Sequence, residues 1–174
     1  MLELEGTLPE VYLQPGELHL ARKPVIIRTL LGSCVGVTFW SAKLGVGALC
    51  HALLPKCPNS LYLDDLASSR RYVDFCVRYL ARKFDELGAH RSDLQVKLFG
   101  GADVLLVSDS TPARPTVGKQ NCQAALEVVS AEGFAVSASS LGGTRGRSIR
   151  FNTGTGEVLV RRLSRVLLED VTQE

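Results

Sequence analysis

A layered α/β sandwich, in which a mixed β-sheet is flanked by helices, is the fold class this sequence predicts. Short β-branched runs broken by glycine and proline fill the first third of the chain. Two segments further on carry apolar residues at three- and four-residue steps, the signature of amphipathic helices. More β-like runs follow each helical segment, so strands and helices alternate rather than segregate.

Residues 1–23 alternate apolar and polar around Pro9, Pro15 and Gly16 and read as one or two short strands. Val25-Ile26-Ile27 opens a strand after Pro24 that ends at Gly32-Ser33. Val35 to Trp40 and Val46 to Leu53 are two more strands, joined by a turn at Ser41-Ala42-Lys43. The prolines and polar residues of 54–67 read as a loop. Ser68 to Leu87 is the clearest helix, with Tyr72, Val73, Cys76, Tyr79, Leu80, Phe84 and Leu87 on one face and Gly88 as its stop.

Leu94 to Phe99 reads as a strand running into Gly100-Gly101, and 107–117 as a loop. A second helix is expected over Lys119 to Ala131, with Leu126 and Val129 inward and Gly133 ending it. Phe134 to Ser139 is strand-like. Gly142 to Arg147 is a glycine-rich loop, and Ser148–Asn152 and Glu157–Leu163 form a hairpin around Thr153-Gly154-Thr155-Gly156. The spacing Gly-Gly-x-x-Gly lacks the lysine of a phosphate-binding loop, so a tight-turn role is the better reading. No repeat, linker or boundary divides the chain, and one domain over 1–174 is expected.

Composition excludes several function classes. An apolar fraction of 45% and a charged fraction of 22% are ordinary for a globular protein. A net charge of +2 gives no reason to expect nucleic acid or a membrane surface as partner. No window approaches the roughly 18 uninterrupted apolar residues that a membrane span needs. Met1-Leu2-Glu3-Leu4-Glu5 has neither the basic nor the apolar region of a secretory signal, so a cytoplasmic location is expected. The chain has 5 cysteines, at 34, 50, 57, 76 and 122, without a paired pattern. Reduced thiols fit this better than disulfides, and no spacing supports a metal site.

Chemistry concentrates at Cys34 and His51. Thr29-Leu30-Leu31-Gly32-Ser33-Cys34-Val35-Gly36 sets a cysteine on a small-residue turn between two strands, and His51 follows near the end of the next. A thiolate attacks carbonyl carbon while a neighbouring imidazole takes and returns the proton. Gly32 and Ser33 leave the turn free of bulk, so its amides could receive an oxyanion. An antiparallel strand pair could bring His51 opposite Cys34, which neither His19 nor His90 offers. The same residues also suit a packed thiol and a hydrogen-bonded structural histidine.

Four blocks carry a resemblance: Leu31-Gly32-Ser33-Cys34-Val35, His51-Ala52-Leu53-Leu54-Pro55, Lys97-Leu98-Phe99-Gly100-Gly101-Ala102, and Leu141-Gly142-Gly143 with Gly146-Arg147. Arg71-Tyr72-Val73-Asp74, Asn121 and Phe151-Asn152-Thr153-Gly154-Thr155-Gly156 add to it. In this order, from about residue 24 to 162, they resemble the CheD family of bacterial chemoreceptor glutamine deamidases. The resemblance implies a fold related to the cytotoxic necrotizing factor toxins, which are also cysteine-dependent deamidases. It implies hydrolysis of glutamine side chains on methyl-accepting chemotaxis receptors, in some members with methylesterase activity, and no metal or organic cofactor.

Carried over, Cys34 would be the nucleophile and His51 the general base and acid, with a threonine upstream of the turn holding the imidazole. Some members place that threonine one residue further from the cysteine, where this chain has Arg28, which makes Thr29 the candidate. The cytoplasmic domain of the receptors and a CheC-type phosphatase are the implied partners. A non-catalytic docking module and a cysteine hydrolase of another amide or ester are the alternatives.

Overall fold

The computed structural model describes residues 7–59, 65–104 and 114–164. Two mixed sheets stack face to face, and the helices cover the far side of one of them. The strands are β1 (Glu10–Tyr12), β2 (Leu18–Ala21), β3 (Ile26–Leu31), β4 (Val35–Ser41), β5 (Val46–Ala52), β6 (Leu94–Gly100), β7 (Val136–Leu141), β8 (Arg147–Asn152) and β9 (Val158–Arg162). Helices α1 (Leu66–Ser69), α2 (Val73–Glu86) and α3 (Val117–Ala131) complete the set, with a 3-10 turn at Arg91–Asp93. The four-stranded sheet has the order β1-β3-β8-β9 and the five-stranded sheet β2-β5-β4-β6-β7. Each sheet contains one parallel pair, β1 with β3 and β6 with β7.

Side-chain alternation sorts the layers. In β3, Ile27, Thr29 and Leu31 are buried while Arg28 and Leu30 are exposed. The inward set meets Leu49, Phe151, Phe99 and Ile149 between the sheets. Strand β5 is buried along its whole length, because one face meets the other sheet and the second face meets helices. Val46, Ala48, Cys50 and Ala52 join the helix-side core with Val35, Val37 and Phe39 of β4 and Val73, Val77, Leu80 and Phe84 of α2. There Phe39 stacks on Phe84 at 5.8 Å and meets Phe134 edge-on at 5.3 Å. The alternate residues of β5, Leu49 and His51, therefore face the four-stranded sheet. At the end away from the Gly32–Cys34 turn, Trp40 Nε1 donates to Thr153 O (3.0 Å) and Lys97 Nζ to Gly156 O (2.8 Å), tying the β8–β9 hairpin to the other sheet.

Three expectations need correction. The helix expected over Ser68 to Leu87 is two helices, broken at 70–72. Tyr72 is extended (ψ 132°), because Arg71 O accepts from Leu53 N and Leu54 N while Leu54 O accepts from Val73 N. Backbone spent on pairing with the segment after β5 is unavailable to a helix. Leu126 is 47% exposed rather than inward, since α3 presents Asn121, Ala125, Val128 and Val129 to the core instead. The strand expected over Phe134 to Ser139 runs two residues later. Most of the loop expected over 107–117, and the tail from 165, lie outside the described residues.

Candidate active site

Thr29 and His51 come from different sheets and meet between them. Thr29 Oγ1 lies 2.7 Å from His51 Nδ1, and both side chains are buried. The same hydroxyl donates to Leu13 O at 2.8 Å. A hydroxyl has one proton, and a carbonyl only accepts, so toward the ring Thr29 Oγ1 must act as acceptor. Nδ1 of His51 therefore carries the ring proton and donates it, which leaves Nε2 with a lone pair. Nε2 is buried and has no hydrogen-bond partner among the described residues. The backbone of His51 is fixed as well, its N–H on Glu17 O (2.9 Å) and its O on Gly16 N (2.8 Å).

Cys34 immediately precedes β4, and β4 runs antiparallel to β5 with Gly36 opposite His51. Residues two apart on a strand share a face, so Cys34 lies on the face of His51, diagonally across from it. The histidine is thus opposite Gly36 rather than opposite Cys34, as the sequence alone suggested. Gly36 has no side chain to stand between ring and thiol. Cys34 is half-buried and packs against Leu31, Phe99 and Ile149. The thiol–imidazole hydrogen bond expected of a catalytic pair is not made, as the unpartnered Nε2 shows. Such contacts commonly tighten only with substrate.

The turn is braced through its carbonyls. Gly32 O accepts from Ala102 N (2.9 Å) and Cys34 O from Gly101 N (2.8 Å). Ser33 O accepts from Asn121 Nδ2 (2.9 Å), which also donates to Leu53 O (2.9 Å). One buried amide on α3 thereby ties the Cys34 turn to the segment just beyond His51. Both of its partners are carbonyls, which assigns nitrogen to that position and leaves Oδ1 as an acceptor without a partner among the described residues. Gly100 (φ +100°) packs so closely that a Cβ there would stand 2.2 Å from Cys34 O. Behind it the Arg147 guanidinium, buried, donates to Gly142 O (2.7 Å), Arg145 O (3.3 Å), Gly100 O (3.4 Å) and Ser140 Oγ (2.9 Å). The glycine-rich loop is accordingly a tight turn, with Gly142 and Gly143 both at positive φ.

Burial sets the protonation of the pair. It lowers His51 to about 4, only partly opposed by the Glu17 carboxylate. It also raises the Cys34 thiol above its ordinary range, opposed by the residue's own N–H beside the sulfur. Near neutral pH the site holds a thiol and a neutral imidazole. Among the described residues no group of three or more His, Cys, Asp and Glu side chains could hold a metal ion. No helix there is long and apolar enough to cross a membrane.

A family model described as CheD chemotactic sensory transduction matches residues 53–162. A relative from Geobacter sulfurreducens, named probable chemoreceptor glutamine deamidase CheD 2, is 48% identical over 91% of this chain and 92% of its own length. The chain belongs to the CheD family. Another relative, from Maridesulfovibrio salexigens and named probable chemoreceptor glutamine deamidase CheD, is 35% identical over 95% of this chain and 98% of its own. Among solved structures, the Bacillus licheniformis hypothetical protein YfiH is 8% identical with a TM-score of 0.44, and YlmD of Geobacillus stearothermophilus 15% with 0.42. They cover 71% and 72% of this chain, which spans half the length of each.

In this CheD-family chain Cys34 and His51 are expected on neighbouring strands, with Thr29 rather than position 28 as the candidate threonine. Nothing in the sequence gives a role to Asn121, Arg147 or Leu13 O. Asn121 and Arg147 stand only among the residues resembling the family; Asn121 bonds Ser33 O and Leu53 O, and Arg147 reaches Gly100 O, partners far from them in sequence. A backbone carbonyl such as Leu13 O leaves no mark on residue identity at all.

Proposed function

We propose that this chain hydrolyses glutamine side chains of chemotaxis receptors to glutamate, with Cys34 as nucleophile and His51 as base and acid. The observation that carries the reading is the Leu13–Thr29–His51 relay, which leaves the lone pair of Nε2 on the face of the strand pair that Cys34 shares. Nε2 takes the Sγ proton as sulfur attacks the amide carbon. The carbonyl electrons move onto oxygen, beside the Cys34 N–H. Asn121, by donating to Ser33 O, polarises that same peptide unit and strengthens its N–H as an oxyanion donor. Collapse of the intermediate expels ammonia with the proton held by His51 and leaves a thioester. Water, deprotonated by Nε2, then releases glutamate and regenerates the thiol. The balance is amide plus water to acid plus ammonia.

A methyl ester at the same carbon would follow the same steps with methanol leaving, so methylesterase activity belongs to this reading. A cytoplasmic setting, a CheC-type phosphatase as partner and kinship with the toxin deamidases accompany it from the family resemblance. The test is incubation of a receptor cytoplasmic fragment with wild type and Cys34→Ala, read by peptide mass spectrometry. Each converted amide gains about one dalton as nitrogen is exchanged for oxygen in the acyl transfer. Equal conversion by Cys34→Ala would overturn the mechanism.

A further inference from the structure

The two sheets differ in what covers them. Helices α2 and α3 pack on the five-stranded sheet, and the outer face of the four-stranded sheet carries none of them. Register assigns its residues. Arg28 stands opposite Arg150 and Leu30 opposite Ser148 across β3 and β8, while Ser148 meets Arg161 and Arg150 meets Leu159 across β8 and β9. Directly opposed residues share a face, so Arg28, Leu30, Ser148, Arg150, Leu159 and Arg161 form two adjoining rows on the outside. Tyr12 of β1 lies beside Arg28 on the same side. Leu30, Leu159 and Tyr12 are 48%, 51% and 52% exposed.

The charge on this face is mainly positive. Arg28 pairs with Glu10 at 3.2 Å, but Arg150 and Arg161 have no acidic partner among the described residues. Arg28 and Arg150 directly oppose each other, an arrangement that weakens a sheet unless something else answers it. Between the rows runs a shallow groove of about 290 Å³, lined by Arg28, Ser148, Arg150, Leu159, Val160 and Arg161. The row of Leu30, Ser148 and Arg161 lies at the end of the sheet where β3 passes into the Gly32–Cys34 turn. Leu30 is four residues from Cys34, within about 14 Å along an extended chain.

We propose that this outer face docks an acidic polypeptide segment of the protein substrate, next to the glutamine delivered to Cys34. The inference rests on the deamidase reading and adds to it what the enzyme holds on to. Guanidinium groups fork onto carboxylates in pairs of parallel hydrogen bonds. The apolar positions decide between kinds of acidic partner. Leu30, Leu159 and Tyr12 flank the arginines, and a polypeptide surface offers carboxylates interleaved with aliphatic side chains. A phosphate backbone would present charge alone to these apolar side chains. Arginine with tyrosine beside a groove is also the composition enriched at protein interfaces.

Binding and turnover separate the two readings. A fluorescently labelled receptor cytoplasmic fragment is titrated into Cys34→Ala, with and without Arg150→Glu and Arg161→Glu, at several salt concentrations. The expected result is at least a tenfold loss of affinity for the double reversal, with a flatter salt dependence, while Arg150→Gln with Arg161→Gln falls between. The same surface changes on the Cys34 background should raise KM and leave kcat within about twofold, since no altered residue touches the site. Unchanged receptor affinity in a double reversal that melts normally would overturn the docking face and leave the deamidase reading standing. Charge-sensitive receptor binding without any conversion by wild type would do the reverse. Self-association abolished by the same reversals would reassign the face to a second copy and overturn the proposal.

Discussion

Thr29 and His51 are joined by a 2.7 Å hydrogen bond that spans the two sheets, and the proton of Thr29 is committed to Leu13 O. The bond therefore selects one ring tautomer as well as one ring position. Thr29→Val keeps the branched shape and removes the hydroxyl, freeing the ring to place its proton on Nε2. Loss of a positioned proton acceptor should lower kcat by about 10²-fold, the lower part of the range for general-base effects. Thr29→Ser should retain most of the activity. Steady-state kinetics on a receptor fragment, with KM nearly unchanged in both, would check it; full activity in the valine variant would remove Thr29 from the mechanism.

The buried imidazole has a consequence for acid stability. His51 titrates at about 4 when folded, against an ordinary value of 6.5. The unfolded chain binds that proton first, so stability contributed by the neutral ring is present above pH 6.5 and is lost as pH falls toward about 4. Near pH 4 the loss reaches about 3 kcal/mol and then levels off, because both states are protonated below it. Urea unfolding of wild type and His51→Gln at a series of pH values isolates this part, since contributions from carboxylates cancel in the difference. A pH-independent difference would show that the ring is protonated or solvated in the fold.

A raised thiol and a neutral imidazole also foretell how Cys34 reacts without substrate. The thiolate is the species that alkylates, and burial keeps it scarce near neutral pH. Iodoacetamide should label Cys34 slowly at pH 6 and progressively faster through pH 9, with the site read by peptide mass spectrometry to separate it from Cys122. Fast labelling that does not change between pH 6 and 8 would indicate a preformed thiolate–imidazolium pair instead.

The parts of this arrangement that were legible in the sequence are those written in local periodicity. The turn holding Cys34 shows as glycine and serine between two β-branched runs, and the hairpin of β8 and β9 as alternation around Thr-Gly-Thr-Gly. The break at 70–72 was not legible, since the apolar steps continue through Tyr72 while its backbone pairs with Leu54. Leu126 misled for a similar reason: it is apolar on an amphipathic helix, yet α3 is anchored by the buried amide of Asn121 and by small residues around it. Division of the strands into two sheets depends on which distant runs pair, and β3 with β8 lies more than a hundred residues apart. Arg28, the other threonine-equivalent position, faces outward by alternation, so the strand phase itself favours Thr29.

Asn121 holds both halves of the site through one nitrogen. Asn121→Ala leaves the partly buried Ser33 O and Leu53 O without their donor, at a cost of about 1 kcal/mol each, the lower end for an unsatisfied group. Asn121→Asp keeps the volume but turns an oxygen toward two carbonyls, so it should be the more destabilised of the two in chemical denaturation. That order separates hydrogen bonding from packing, which would predict the reverse. In whatever fraction folds, the proposed mechanism predicts that kcat falls by about tenfold with KM unchanged, because there the weakened element is an oxyanion donor, the Ser33–Cys34 peptide, rather than a substrate contact.

Gly100 tests how rigidly the backbone of Cys34, the proposed nucleophile, must be held. Its φ of +100° disfavours any side chain, and a Cβ would approach Cys34 O to 2.2 Å and Leu31 Cβ to 3.3 Å. Neither neighbour is the free end of a flexible chain, so the strain cannot be relieved by a rotamer change. Left-handed backbone costs about 1–2 kcal/mol for a residue with a Cβ, and forced overpacking about 1–3 more. Gly100→Ala should therefore lose about 3–4 kcal/mol of unfolding free energy and displace the carbonyl that Gly101 N binds at 2.8 Å. Gly88→Ala serves as the control, because its φ is +80° with nothing within 4 Å of the added carbon, so it carries the backbone term alone. Equal losses in the two variants, measured by chemical denaturation, would show that the contact with Cys34 is soft and that the turn tolerates movement.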